Sequence, residues 1–324
     1  MPGLLLATAV ALPAWALGLV LPLLGGAVLA ILLGLGLRLS WMPPVRCQPG
    51  LQFTGKSVLQ LSIILLGFGL DLGQVSRVGL GSLGVTITTL ALALLAAWGL
   101  GRALRIPAKL ALLVGVGTAI CGASAIAAVA PIIRSDGHDT AFALSTIFLF
   151  NVVAVLVFPP LGHLLQMSDA QFGLWAGTAI NDTSSVVAAG YAYSHHAGDY
   201  ATIVKLTRAA LILPVCLLLA AAMAWQARRQ HASPGQPPAG LGKAMPWFIV
   251  GFVLAAALRS SGWLPAPLQN GLHAAGGLAM VLALAAIGLS ADLRQMRATG
   301  SRPILLGLGV WAAVTTGSLL LQAL

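Results

Sequence analysis

Residues 177–190 read GTAINDTSSVVAAG, in which Asn181, Asp182, Thr183, Ser184 and Ser185 form a polar run inside an otherwise apolar segment. Sixty residues earlier, 117–130 read GTAICGASAIAAVA. Gly117, Thr118, Ala119, Ile120, Ser124 and Ala128 recur as Gly177, Thr178, Ala179, Ile180, Ser184 and Ala188. An acid in hydrocarbon is costly, so Asp182 must face protein or a water-filled cavity. It lies about ten residues into its segment, roughly 15 Å deep. The other six acids, Asp71, Asp136, Asp139, Asp169, Asp199 and Asp292, fall in loops or at segment ends, and the chain has no Glu. Asp182 thus suits a cation ligand or a proton carrier; the packing alternative is an acid hydrogen-bonded to neighbouring Ser and Thr.

The polar run fits a broken helix, because Gly, Ser, Thr and Asn release backbone groups and satisfy them with side chains. A half-helix N-terminus then offers N–H groups and a positive dipole to an anion. Cys121, Gly122, Ala123 and Ser124 supply the equivalent break in the first phrase, although small residues also serve close helix packing. Lys205 and Arg208 are three apart and share a helix face. They offer anion recognition, or else snorkel to headgroups. Asn151, in FLFNVVAV, is a candidate polar contact in the core.

The elements that carry these residues must be membrane helices. The chain has 324 residues, 59% hydrophobic and 7% charged, against about 25% charged in soluble domains. Barrel strands alternate apolar and polar residues; these segments do not. The net charge of +10 reflects cytoplasmic loops rather than nucleic-acid binding. Cys47, Cys121 and Cys216 show no metal spacing, and no nucleotide loop or hydrolase motif appears, so neither an enzyme nor a cofactor beyond a coupling Na⁺ or H⁺ is expected. Ala14-Trp15-Ala16 resembles a signal-peptidase site, but no Lys or Arg precedes it, so 3–22 reads as the first span.

Eleven spans are predicted: 3–22, 24–40, 57–72, 80–101, 109–133, 140–165, 171–192, 203–226, 244–262, 268–290 and 302–323. They form one integral membrane unit: spans over 1–226, a polar cytoplasmic linker at 227–243, and spans over 244–324. With the N-terminus inside, twelve Lys and Arg fall inside against five outside (Arg77, Arg134, Lys205, Arg208 and Arg259), which supports a cytoplasmic N-terminus and periplasmic C-terminus. A second echo joins GFGLDLGQVSRVG at 67–79 with GLSADLRQMRATG at 288–300. The span count sets this pair antiparallel, as an inverted repeat requires. It sets 117–130 and 177–190 parallel, which such a repeat does not allow.

LSIILLGFGLDLGQV at 61–75, GVGTAICGASAIAA at 115–128, AGTAINDTSSVVAAG at 176–190, KLTRAALILP at 205–214 and AAIGLSADLRQMRATG at 285–300 together resemble the YeiH-like family of bacterial inner-membrane proteins, described as sulfate exporters. The resemblance covers nearly the whole chain. Some members carry His-Glu where this chain has Asn181-Asp182, so a histidine proton relay is not available here. The family is grouped with cation/proton antiporters and anion transporters. That implies an all-α polytopic bundle, with two broken helices crossing at the midplane in a core domain beside a panel domain, and alternating access. The expected function is a secondary transporter exporting a small anion, sulfate or sulfonate-like, with the lipid bilayer as partner and a homodimer left open. The alternatives are a monovalent cation/proton antiporter and, less favoured, a passive channel or membrane sensor.

Overall fold

The computed structural model describes residues 2–20, 25–229, 247–290 and 301–323. These residues are helical apart from short turns and connections, with no strand among them. The helices are α1 (Pro2–Val20), α2 (Gly25–Ser40), α3 (Gln48–Phe53), α4 (Leu59–Leu66), α5 (Leu72–Ala103), α6 (Ala108–Ala119), α7 (Ala123–Ile132), α8 (Gly137–Leu164), α9 (Asp169–Ala179), α10 (Thr183–Tyr193), α11 (His195–Ala210), α12 (Ile212–Arg229), α13 (Trp247–Ser260), α14 (Ala266–Ser290) and α15 (Ser301–Ala323). A π-helical turn, Thr54–Val58, joins α3 to α4. Residues 230–243 of the expected linker, and 291–300 of the second echo, lie outside the described residues.

Helix starts follow local chemistry. Asp71, Asp136, Ser168 and Ser194 each accept a hydrogen bond from the backbone N–H three residues on, pairing a donor that a helix leaves orphaned. Three ends are less conventional. Arg105, Arg134 and Gln166 adopt positive φ without being glycine, and each closes its helix with a backbone bond running back over the last turn, as in Ile106 N to Gly101 O at 2.8 Å.

Among the described residues, seven helical segments are long and apolar enough to cross a membrane. The helices break at the two expected phrases, but each broken pair doubles back instead of continuing across. Lys109, at the start of α6, donates to the carbonyl of Arg134, just beyond α7, at 2.7 Å. Ser194, just beyond α10, donates to Asp169, the first residue of α9, at 2.7 Å. The rings of Phe172 on α9 and Tyr193 on α10 stack with centroids 4.0 Å apart. Both arms of this second pair also lie along α11: added β-carbons at Gly173 and Gly190 would each come within 3.4 Å of the Ala197 carbonyl oxygen. Each arm has 10 to 12 residues, about 15–18 Å, or half a hydrocarbon core of ~30 Å.

The crossing helices expected from the resemblance are therefore replaced by two helical hairpins. Hairpin 1 (α6–α7) opens at the start of α8 and hairpin 2 (α9–α10) opens at its end. Their tips meet beside Asn151, the middle of the 28-residue α8. Among the described residues, 108–132 and 169–193 are thus not crossings, so two of the eleven expected passages are lost. Arg134, expected on the far face, lies instead on the side of Lys109.

The hairpins pack with α5, α8, α11, α12 and α15, and the stacked Phe158 and Trp175 (4.1 Å) lie where α8 meets hairpin 2. A second body forms from α1, α2, α3, α4, α13 and α14. Within it α2 and α14 approach so closely that a β-carbon on Gly288 would lie 2.5 Å from the Ile31 carbonyl oxygen.

Candidate functional site

The hairpin tips are built by backbone that cannot stay helical. At the first, Ile120 has φ −121° and ψ −89°, and Gly122 has φ +67° and ψ −125°, a region only glycine enters readily. At the second, Ile180 and Asp182 are extended. The tips touch: a β-carbon added to Gly122 would lie 3.4 Å from the Asp182 Cβ. Asn151 Oδ1 accepts from the Asp182 N–H at 3.1 Å, fixing hairpin 2 to the middle of α8.

Asp182 is the N-cap of α10. Its Oδ2 accepts from the Ser184 N–H at 3.2 Å and from the Ser184 hydroxyl. The α7 N-cap, Gly122, has no side chain to do this. The N-terminal ends of α7 and α10 thus sit side by side, one capped by an acid and one open, and each carries a positive dipole end.

The C-terminal ends of α6 and α9 carry the opposite partial charge, and they meet two buried cations. Lys205 Nζ donates to the carbonyls of Ile120 at 2.8 Å and Ile180 at 2.9 Å. The Arg208 guanidinium donates to Thr118 O at 2.6 Å, and to Ala119 O and Thr178 O. Each side chain bridges both hairpins, and both are 0% exposed. Snorkelling is excluded by this burial. Their donors are turned to backbone carbonyls, so neither is placed to touch an anion in the cavity in front of the tips.

A cavity of about 590 Å³ lies in front of the N-terminal ends. Ala123, Ser124, Asn151, Asp182, Thr183, Ser184 and Ser185 line it. Cys121, Gly122, Asn181, Lys205 and Arg208 do not. Cys121 and Gly122 form the turn behind Ser124. Asn181 is wholly buried, with neither amide atom partnered among the described residues, a state that costs about 1–3 kcal/mol per group. Thr183 and Ser185, 7% and 6% exposed, line the cavity with hydroxyls that have no hydrogen-bond partner among the described residues.

The opposite wall comes from the second body and was not anticipated. Ile31 and Leu35 of α2, Lys56 and Gln60, Ile63 of α4, Phe248 of α13 and Ile287 of α14 supply it. Exposed Lys56 and Ser290 mark the mouth, toward the side on which hairpin 1 opens. On the other side Ile63 and Leu70 close against Ile203 and Leu206 of α11 and Phe252 of α13 in an apolar cluster. The hairpins did leave a sequence signal: Arg102, Arg105 and Lys109 lie at one end of 108–132 and Arg134 at the other, and like charge at both ends fits a segment that returns to its own side.

A helical bundle with paired hairpin tips at its centre defines this chain as a polytopic integral membrane protein. It belongs to the family described as Conserved hypothetical protein 698, whose model matches residues 2–307. The chain is similar to a UPF0324 membrane protein of Streptococcus pyogenes serotype M18, 45% identical over 99% of this chain and 96% of that protein. It is 38% identical to a UPF0324 membrane protein of Streptococcus agalactiae serotype V over 100% of this chain and 97% of the relative. Another of Fusobacterium nucleatum is 38% identical over 99% and 96%. No solved structure matches the chain.

Proposed function

We propose that the protein is a secondary active transporter, not an enzyme, that exports a small anion by alternating access coupled to protons or Na⁺. One observation carries the reading: two helix N-termini and unpaired hydroxyls face one cavity, with Lys205 and Arg208 directly behind the tips. Lys56, Lys205 and Arg208 against Asp182 leave a formal excess of positive charge, which favours an anion. Asp182, the acid on the cavity wall, carries the coupling proton or helps bind Na⁺.

Alternating access is supported by a cavity with its mouth on one side and an apolar cluster on the other, both lying between the hairpin body and the second body. An inverted repeat is supported as well. The hairpins enter from opposite ends of α8, so the GTAI phrases run in opposed senses relative to it, as such a repeat requires. Placing Arg134 with Lys109 also adds to the basic side, in favour of a cytoplasmic N-terminus in a bacterial inner membrane.

The test is Asp182→Asn in proteoliposomes. Coupled anion transport is expected to disappear while the protein still inserts and folds; wild-type coupled rates would remove Asp182 from the mechanism. A monovalent cation/proton antiporter is the second reading, favoured by the presence of Asp182 on the wall. Na⁺-driven pH changes that need no anion would select it.

A further inference from the structure

The cavity is not uniform, and its division says what it takes. Its deep end is polar: Ser124, Asn151, Asp182, Thr183, Ser184 and Ser185, all on the hairpins or the middle of α8. Most of the remaining wall is apolar, with Ile31, Leu35, Ile63 and Phe248 of the second body and Phe148 of α8 among its residues and Ser145 as a polar exception. Polar groups return at the mouth, with Lys56 and Gln60.

A bare inorganic oxyanion matches only the deep end. It is small and strongly hydrated, and leaving its shell for an apolar wall is unfavourable. A volume of about 590 Å³ falls in the range of roughly 300–1,000 Å³ typical of sites for larger organic ligands. The apolar stretch has no use for sulfate, but it would take hydrocarbon out of water.

We infer that the substrate is an amphipathic organic anion, a sulfonate or carboxylate head on an apolar body. The head docks on the N-terminal ends of α7 and α10 and the hydroxyls of Ser124, Thr183 and Ser185. The body lies along Phe148 and Ile63 toward Phe248. The hydroxyls of Thr183 and Ser185, on residues 7% and 6% exposed and without a partner among the described residues, line the cavity and are the groups the head satisfies. This inference rests on the transport reading of the same cavity and narrows its substrate class.

The experiment measures binding to the purified full chain in lipid nanodiscs. The probes are sulfate, methane-, propane- and hexanesulfonate, and the matching alkyl carboxylates, with empty nanodiscs as the partition control. Affinity is expected to rise about fourfold per methylene, the equivalent of about 0.8 kcal/mol. Ser185→Ala is expected to weaken every member of the series alike, and Phe148→Ala to flatten the dependence on chain length. A flat series with measurable sulfate binding overturns the inference and leaves the transport reading standing. A slope that empty nanodiscs reproduce, or that Phe148→Ala leaves intact, also overturns it. Binding of no anion at all, or binding indifferent to Ser185→Ala, overturns both.

Discussion

Lys205 and Arg208 give the sharpest prediction, because the structure assigns them to carbonyls and not to a ligand. Lys205→Met keeps the length of the side chain and removes its donors. Two buried carbonyls, Ile120 and Ile180, lose their partner. At about 1–3 kcal/mol for each stranded group, the loss is about 2–6 kcal/mol. Relief from holding a charge in a dry interior offsets part of this, so the lower half of the range is expected. Arg208→Met strands three carbonyls and should cost more, about 3–9 kcal/mol before the same offset. Against a total stability of ~5–15 kcal/mol for folded domains, Arg208→Met is expected to accumulate poorly. Arg208→Lys, which keeps the charge but not the fork, should fall between. The assay is reversible unfolding of purified protein in detergent, paired with anion binding by the fraction that remains folded. Lys205→Met with unchanged stability and abolished anion binding would refute the capping assignment and restore direct anion recognition.

Gly122→Ala should destabilise the protein by about 1–3 kcal/mol, because alanine resists φ +67° while its β-carbon meets nothing closer than 3.4 Å. Gly84→Ala, in α5 with open space around it, should be neutral or stabilising; equal unfolding midpoints for the two variants would show that the tip carries no backbone strain. Topology can be read by single cysteines in a cysteine-free background and a membrane-impermeant thiol reagent. Arg105→Cys and Ser135→Cys are expected to react from one face, and Ser168→Cys and His196→Cys from the other. Labelling of positions 105 and 135 from opposite faces would restore a helix that crosses at 108–132.

The sequence exposed the breaks well and the folding-back poorly. Gly122 and the Asn181–Ser185 run stand out because lipid tolerates polar backbone only where protein or water receives it. Apolar periodicity has no sign for direction, so α6 and α7 read as one 25-residue span as readily as two arms of a hairpin. Only the Arg and Lys on both flanks could have distinguished them, and the span count instead set Arg134 on the far side. Lys205 and Arg208 were legible as a pair of cations on one helix face but were counted on the outer side; their partners are carbonyls 25 to 90 residues away, and a carbonyl has no letter in the sequence. The far wall of the cavity, from Ile31 to Ile287, was invisible for a related reason: its residues are ordinary apolar ones, and only the packing of α2, α4, α13 and α14 against the hairpins gathers them.

The bridging of both tips by one helix also fixes an order of manufacture. Thr118 and Ala119 leave the ribosome some 90 residues before Arg208, and Ile120 precedes Lys205 by 85. Until α11 is made, hairpin 1 lacks the donors that its tip finally uses, and hydrocarbon offers no substitute. The nascent hairpin must therefore wait at the translocon or the lipid headgroups. It seats only when α11 arrives with hairpin 2, so the two tips are completed in a single step, and α13 and α14 complete the far wall of the cavity afterwards.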